Sequence, residues 1–322
     1  MSRAPRATAL ALLLGTTLSG FLAGCDGDGG GTSVEEEALV FLEVTGLRPL
    51  PEGLNYQAWL VMGTEEEFWG FPLALFDVDQ DGQPVDPGAD TLLAGPFSAL
   101  VAVQEILGVA VSVEASDTLL SYSSYTFVLG GDLIQGAAQL TPGHWLALGH
   151  DPSEWEGGFV LATPTNEDPE DEVAGIWFMD PRGGPVTAGL QLPEAPVGWN
   201  YEGWVLVGDQ PLSMGKFVSP AQTDSSSSYS GETASPAFPG EDFLANPPGG
   251  LTFPPDLSGA EVFVTLEPWA ELDVARDEPF FLRLLGGTVP SEPSTLVFYE
   301  LERPDTPLPS GTATVQSTGE PG

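Results

Sequence analysis

The sequence predicts an all-β protein: two tandem antiparallel β-sandwich domains related by duplication. Three observations carry this. Short runs rich in β-branched and aromatic residues recur along the chain, separated by turns of Gly, Pro and Asp. Gly (40) and Pro (31) make up 71 of 322 residues, and no long amphipathic helix is visible. Two segments about 145 residues apart match one another in order.

The strands follow in chain order. Residues 38–44 (Ala-Leu-Val-Phe-Leu-Glu-Val) form the first. Residues 56–62 form the next, with Tyr56, Ala58 and Leu60 on one face and Trp59 on the other, because side chains alternate along a strand. Residues 73–76 precede an Asp-rich turn. Residues 100–113 contain two candidates around a turn at Gly108, and 100–107 is the stretch with most helical character. Segments 124–129, 158–162, 176–179, 204–207, 262–266, 280–285 and 296–301 continue the pattern. Residues 26–37 hold Gly, Asp, Glu, Ser and Thr and read as a flexible acidic tether. Residues 303–322, with Pro, Ser, Thr and Gly and little to bury, read as a disordered tail. The predicted organisation is therefore 1–24 signal peptide, 25–37 tether, 38–160 first sandwich, 161–302 second sandwich, 303–322 tail.

The N-terminus carries a processing pattern. Arg3 and Arg6 give a basic start, and residues 9–23 are apolar or small, too short to span a bilayer comfortably but right for secretion. The run ends in Leu22-Ala23-Gly24-Cys25, and Cys25 is the one cysteine of the chain. This resembles the lipobox of bacterial lipoproteins. The resemblance implies cleavage before Cys25, diacylation of its sulfur and acylation of its new amine. Several acyl chains anchor durably where one is marginal. The chain is then expected on the cell membrane or outer membrane, facing periplasm or exterior. Asp26 resembles an inner-membrane retention signal of enteric bacteria, and the choice of membrane stays open.

Charge and cysteine count exclude several classes. Against 47 acidic residues stand 8 basic ones, a net charge of −39. Loss of Arg3 and Arg6 leaves 6 − 47 = −41, with Arg48, Arg182, Lys216, Arg276, Arg283 and Arg303 remaining. Such a surface repels phosphate backbones, so nucleic acid is not a partner. One cysteine makes no internal disulfide and no thiolate cluster. A hydrophobic content of 42 % is too high for a wholly disordered acidic chain. Salt adaptation and calcium binding both remain open as reasons for the acidity.

The repeat is the most informative feature. Gly53-Leu54-Asn55-Tyr56-Gln57-Ala58-Trp59 matches Gly198-Trp199-Asn200-Tyr201-Glu202-Gly203-Trp204. Downstream, Val111-Ser112-Val113-Glu114 matches Val264-Thr265-Leu266-Glu267, and 127–131 matches 283–287. In each Tyr-x-x-Trp the two rings face opposite sides, so core packing is expected, with an aromatic ligand groove as the alternative. These motifs, with Gly175-Ile176-Trp177-Phe178, Gly215-Lys216-Phe217, Pro239–Phe243 and Glu267-Pro268, resemble the extracytoplasmic β-domain of anti-sigma-K-factor-like proteins. The resemblance covers about residues 175–290 and, more weakly, 39–131. It implies the fold and a cell-envelope setting. No sigma-binding region accompanies it, so it does not imply sigma-factor sequestration.

Candidate chemistry is sparse. Asp77-Val78-Asp79-Gln80-Asp81-Gly82 starts like a calcium loop, and Asp86 could add an oxygen, but position 12 is Gly88 rather than Glu. An Asp-rich hairpin turn is the alternative. The acidic run 167–172 reads as a solvated loop. His144 and His150 lie about 20 Å apart on an extended chain, too far for one metal unless the chain turns back and the fold adds carboxylates, so ordinary surface or hairpin histidines are expected. There is no Gly-x-Ser-x-Gly elbow. Glu114 and Glu267 occupy matching places: a catalytic carboxylate pair is conceivable, while structural acids bonding backbone N–H groups are the default. The first reading is a non-catalytic, lipid-anchored envelope protein that binds an envelope protein or polysaccharide, without cofactor. The alternatives are a carbohydrate- or Ca2+-binding module and a hydrolase.

Overall fold

The structure is a computed structural model that describes residues 36–64, 67–87, 91–93, 95–115, 118–269 and 278–318. The expected signal peptide, Cys25 and most of the tether lie outside the described residues. Every named strand pairing is antiparallel, as the all-β expectation requires. Among the described residues, helical structure amounts to two 3-10 turns, Val103–Glu105 and Pro152–Glu154.

Two sheets carry the Tyr-x-x-Trp segments. The first runs Pro84–Val85, Phe68–Val78, Asn55–Gly63, Ile106–Glu114, Phe127–Asp132. The second runs Gln210–Phe217, Trp199–Val207, Glu261–Pro268, Arg283–Thr288. Their registers correspond. Asn55 faces Glu114 and Tyr56 faces Val113; Asn200 faces Glu267 and Tyr201 faces Leu266. Val111 faces Leu129, and Val264 faces Leu285. In each sheet a bulge falls just before the Trp of the motif, between Ala58 and Trp59 and between Glu202 and Trp204. The expected faces hold: Tyr56, Ala58 and Leu60 join the core, and Trp59 lies on the opposite side. Ile106–Glu114 is one strand that continues through Gly108 with a bulge at Leu107, not two strands around a turn. A Cβ at Gly108 would lie 2.5 Å from the carbonyl oxygen of Gly131, so glycine permits close strand approach here instead of a turn.

Each sheet shares an apolar core with a partner. The first faces a sheet ordered Phe97–Val101, Glu36–Thr45, Ser310–Ser317, Ala137–Leu140. Here the expectation of a disordered 303–322 tail is corrected. Ser310–Ser317 lies inside this sheet, pairing with Glu36–Thr45 on one side and Ala137–Leu140 on the other. The reason is alternation: Ala313 and Val315 are buried beside Val40 and Val44, while Thr312, Thr314 and Gln316 face outward. The second sheet is joined by Leu190–Gln191, Glu156–Leu161, Ile176–Trp177 and Gly240–Glu241, with Tyr299–Leu301 also paired to Glu156–Leu161.

The predicted division at 160/161 is corrected too. Glu156–Leu161 pairs only with strands of the second half, so 156–301 forms a segment inserted between Ala137–Leu140 and the closing strand. One hydrophobic cluster runs through both halves. At their junction Gly198 abuts the Tyr125 carbonyl, and the described body belongs to one compact unit.

Candidate functional site

The repeated sheets build the same polar relay twice. In the first, the Trp59 indole N–H donates to Ser112 Oγ (2.8 Å), which donates to Glu114 Oε1 (2.6 Å). The Ser124 backbone N–H donates to both Glu114 oxygens at 3.1 Å. In the second, Trp204 donates to Thr265 Oγ1 (2.9 Å), Thr265 to Glu267 Oε1 (2.5 Å), and the Phe280 backbone N–H to the same oxygen (2.8 Å). The hydroxyl accepts from indole and donates to carboxyl, so each bond polarises the next. The strand alternation that buries Tyr56 and Tyr201 in the core aims Trp59 and Trp204 at these hydroxyls. Glu114 is 0 % and Glu267 1 % exposed. Burial pushes the carboxyl of Glu114 above its ordinary value despite the hydrogen bonds it accepts. Burial raises Glu267 to about 8, with the charge of nearby Glu202 adding to the shift.

The four aromatic residues singled out as a candidate groove are buried: Tyr56 0 %, Trp59 2 %, Tyr201 0 % and Trp204 1 % exposed. The ligand-groove alternative is corrected for them. A loop including His144 and Leu146 lies over Gly130 on the outer face of the first sheet, covering the side on which Trp59 sits. The exposed indoles are Trp69, Trp145 and Trp269. Trp145 stands edge-on to Phe68 at 5.1 Å, and His144 Nε2 lies 3.1 Å from Asp132.

The Asp77–Gly82 segment is a hairpin turn between Phe68–Val78 and Pro84–Val85. Asp79 Oδ1 accepts the backbone N–H groups of Asp81 (2.9 Å) and Gln83 (2.8 Å), an Asx-type turn. Asp77 Oδ1 accepts from the N–H of Val78 (2.7 Å). Asp81 and Asp86 are exposed. Among the described residues, no group of three or more His, Cys, Asp or Glu side chains is arranged to hold a metal.

The structure adds a buried carboxyl that accepts an indole N–H directly, with no hydroxyl between. Asp242, fully buried, accepts from Trp177 Nε1 (2.5 Å), the Thr165 backbone N–H (2.7 Å) and the Thr165 hydroxyl. Burial raises its pKa, and that of neighbouring Glu241. Thr165, itself buried, borders an open cleft of about 750 Å³. Asn166, Asp168, Glu170, Asp171, Glu232 and Thr233 line it, with Leu244, Ala245 and Pro254 on the apolar wall. Asp171 is held by Asn166 Nδ2 (2.8 Å) and Thr163 Oγ1 (3.0 Å), while Asn166 Oδ1 is buried without a partner. In the sequence, only the acidic run at 167–172 marks this cleft. The cleft's other wall comes from 231–233 and 244–254, and no local pattern announces that meeting.

Compared with known proteins, the chain matches no family model, no curated protein and no solved structure.

Proposed function

We propose that the chain is a non-catalytic, lipid-anchored cell-envelope protein whose β-body serves as an interaction module for an envelope protein or polysaccharide. The anchor is Cys25, supported by the order of basic start, apolar run and lipobox-like Leu22–Cys25. The kinship with the extracytoplasmic domain of anti-sigma-K-factor-like proteins belongs to the same proposal, as does an origin of the two sheets by duplication, supported by their matching registers. One observation carries the non-catalytic reading. Glu114 and Glu267, the acids the sequence offers for hydrolysis, are sealed in the sheets and bonded to a hydroxyl and a backbone N–H. A general acid must reach the substrate, and these reach only the fold.

The experiment is detergent phase separation of the full chain expressed in bacteria. The wild type should enter the detergent phase with an acylated N-terminus, and Cys25→Ser should move to the aqueous phase. Equal partition of both, with no acyl mass at residue 25, refutes the anchor.

The second reading, a calcium- or carbohydrate-binding module, is favoured by the acid-lined cleft at Thr165–Asp171 and Glu232. Calorimetric titration of calcium at matched ionic strength, comparing wild type with Asp171→Asn and Asp79→Ala, distinguishes the cleft from the turn. Identical titrations in all three dismiss both.

A further inference from the structure

Lys216 is the one lysine of the 322-residue chain. The other basic residues expected in the mature protein are arginines. It does not stand on the open surface. Its side chain is 19 % exposed, and Nζ lies 3.4 Å from Oε2 of Glu202, whose side chain is 4 % exposed. The two residues are direct cross-strand partners, so their Cβ atoms are close by construction. Beside this pair the strand is bulged, and Gly215 takes φ +93°, a left-handed conformation that glycine adopts without strain. Glu202 Oε1 also accepts from the Ser213 hydroxyl, which fixes the carboxyl plane.

A third group completes the arrangement. Glu202 sits on the strand between those of Lys216 and Glu267 and pairs with Thr265. Glu267, two residues on from Thr265, is therefore its diagonal neighbour on the same face. Glu267 feels the charges of both Glu202 and Lys216, and burial keeps it largely protonated at neutral pH. The corresponding pair of the first sheet is Gln57 facing Leu75, which has neither amine nor carboxyl. The amine, the carboxyl and the flanking acid thus occur together in the second sheet and not in its structural counterpart.

We propose that Lys216 and Glu202 condense to an intramolecular isopeptide bond, Nζ to Cδ, with Glu267 as the proton-transfer group. The reaction balances without an outside reagent. The Lys216 ammonium passes one proton to the Glu202 carboxylate, leaving amine and carboxylic acid. The nitrogen lone pair attacks Cδ and forms the C–N bond. The Cδ–OH bond then breaks, the hydroxyl taking a proton from Glu267 while the nitrogen returns one to it. One amide and one water result. Holding the reactants in contact converts a bimolecular step into an intramolecular one. Exclusion of water favours the neutral forms that react, and the product removes two charges from a poorly solvated site. The link would staple Gln210–Phe217 to Trp199–Val207.

Trypsin reads the bond directly on the full-length denatured protein, because Arg182, Lys216 and Arg276 are consecutive cleavage sites. The linked chain gives one peptide, 183–276, lighter than its sequence by one water and intact after Lys216. Fragmentation of that peptide should place the linkage between Glu202 and Lys216. Glu202→Ala should restore cleavage after Lys216, and Glu267→Gln should leave the greater part of the protein cleavable. Peptides 183–216 and 217–276 at their sequence masses from the wild type would overturn the proposal, whatever the variants do. Full linkage in Glu267→Gln would overturn the role given to Glu267.

Discussion

Glu267 gives the sharpest prediction about stability. Its folded-state pKa is pushed to about 8 from an ordinary 4.5, first by burial, with the nearby Glu202 charge adding to it. Between those values the folded chain holds a proton that the unfolded chain has lost. Stability must therefore fall as pH rises from about 4.5 to about 8, by at most about 1.4 kcal/mol per pH unit from this group, and level off above. The full difference, (8 − 4.5) × 1.36, is about 5 kcal/mol, an upper bound because the buried site relaxes. Glu267→Gln keeps an acceptor for Thr265 Oγ1 and the Phe280 N–H but cannot ionise. Urea midpoints followed by tryptophan fluorescence from pH 5 to 9 should show a shallower decline in the variant. Other acids raised by burial, Glu114, Asp224, Glu241 and Asp242, bend both curves alike, so the difference isolates Glu267. Both curves are measured in a Glu202→Ala background, in which neither protein can form the isopeptide bond and burial remains the first cause of the Glu267 shift. Parallel curves would refute the reasoning.

Three further outcomes follow from the packing. Trp59→Phe and Trp204→Phe each remove the indole donor of a relay and should destabilise by similar amounts, about 1–3 kcal/mol in chemical denaturation; a large cost at one and none at the other would contradict the equivalence of the two sheets. Asp79→Ala deprives the N–H groups of Asp81 and Gln83 of their acceptor, but the site is exposed, so the loss in thermal unfolding should stay at about 0.5–1.5 kcal/mol. Val315→Asp places a carboxylate at a position 8 % exposed in the closing strand and should cost about 3 kcal/mol or more, read as a drop in the urea midpoint.

What could be read from the residues was local or repeated. Alternation placed Tyr56 in the core and Trp59 opposite, and the repeat put Glu114 and Glu267 at equivalent positions as backbone-bonding acids. The turn at Asp77–Gly82 was visible because an Asx turn is a contact between near neighbours. The errors came from non-local pairing. Nothing near Ser310–Ser317 names its partner, Glu36–Thr45, some 270 residues away. The Thr312-Ala313-Thr314-Val315 alternation was the available signal, but Pro and Gly around it hid it. Gly108 resembles a turn residue because sequence does not show that another backbone, at Gly131, lies against it. The cleft beside Thr165 and the contact between Glu202 and Lys216 likewise depend on register across strands, which a one-residue slip would abolish.

The central structural claim is that the C-terminal segment closes the first half, with the second half inserted before it. Native-state hydrogen exchange of the full chain tests it most directly. The amides of 311–317 should exchange as slowly, as a group, as those of Glu36–Thr45, because the two strands open together. Exchange of 311–317 at the rate of an unstructured peptide, while 55–63 and 199–207 stay protected, would contradict it.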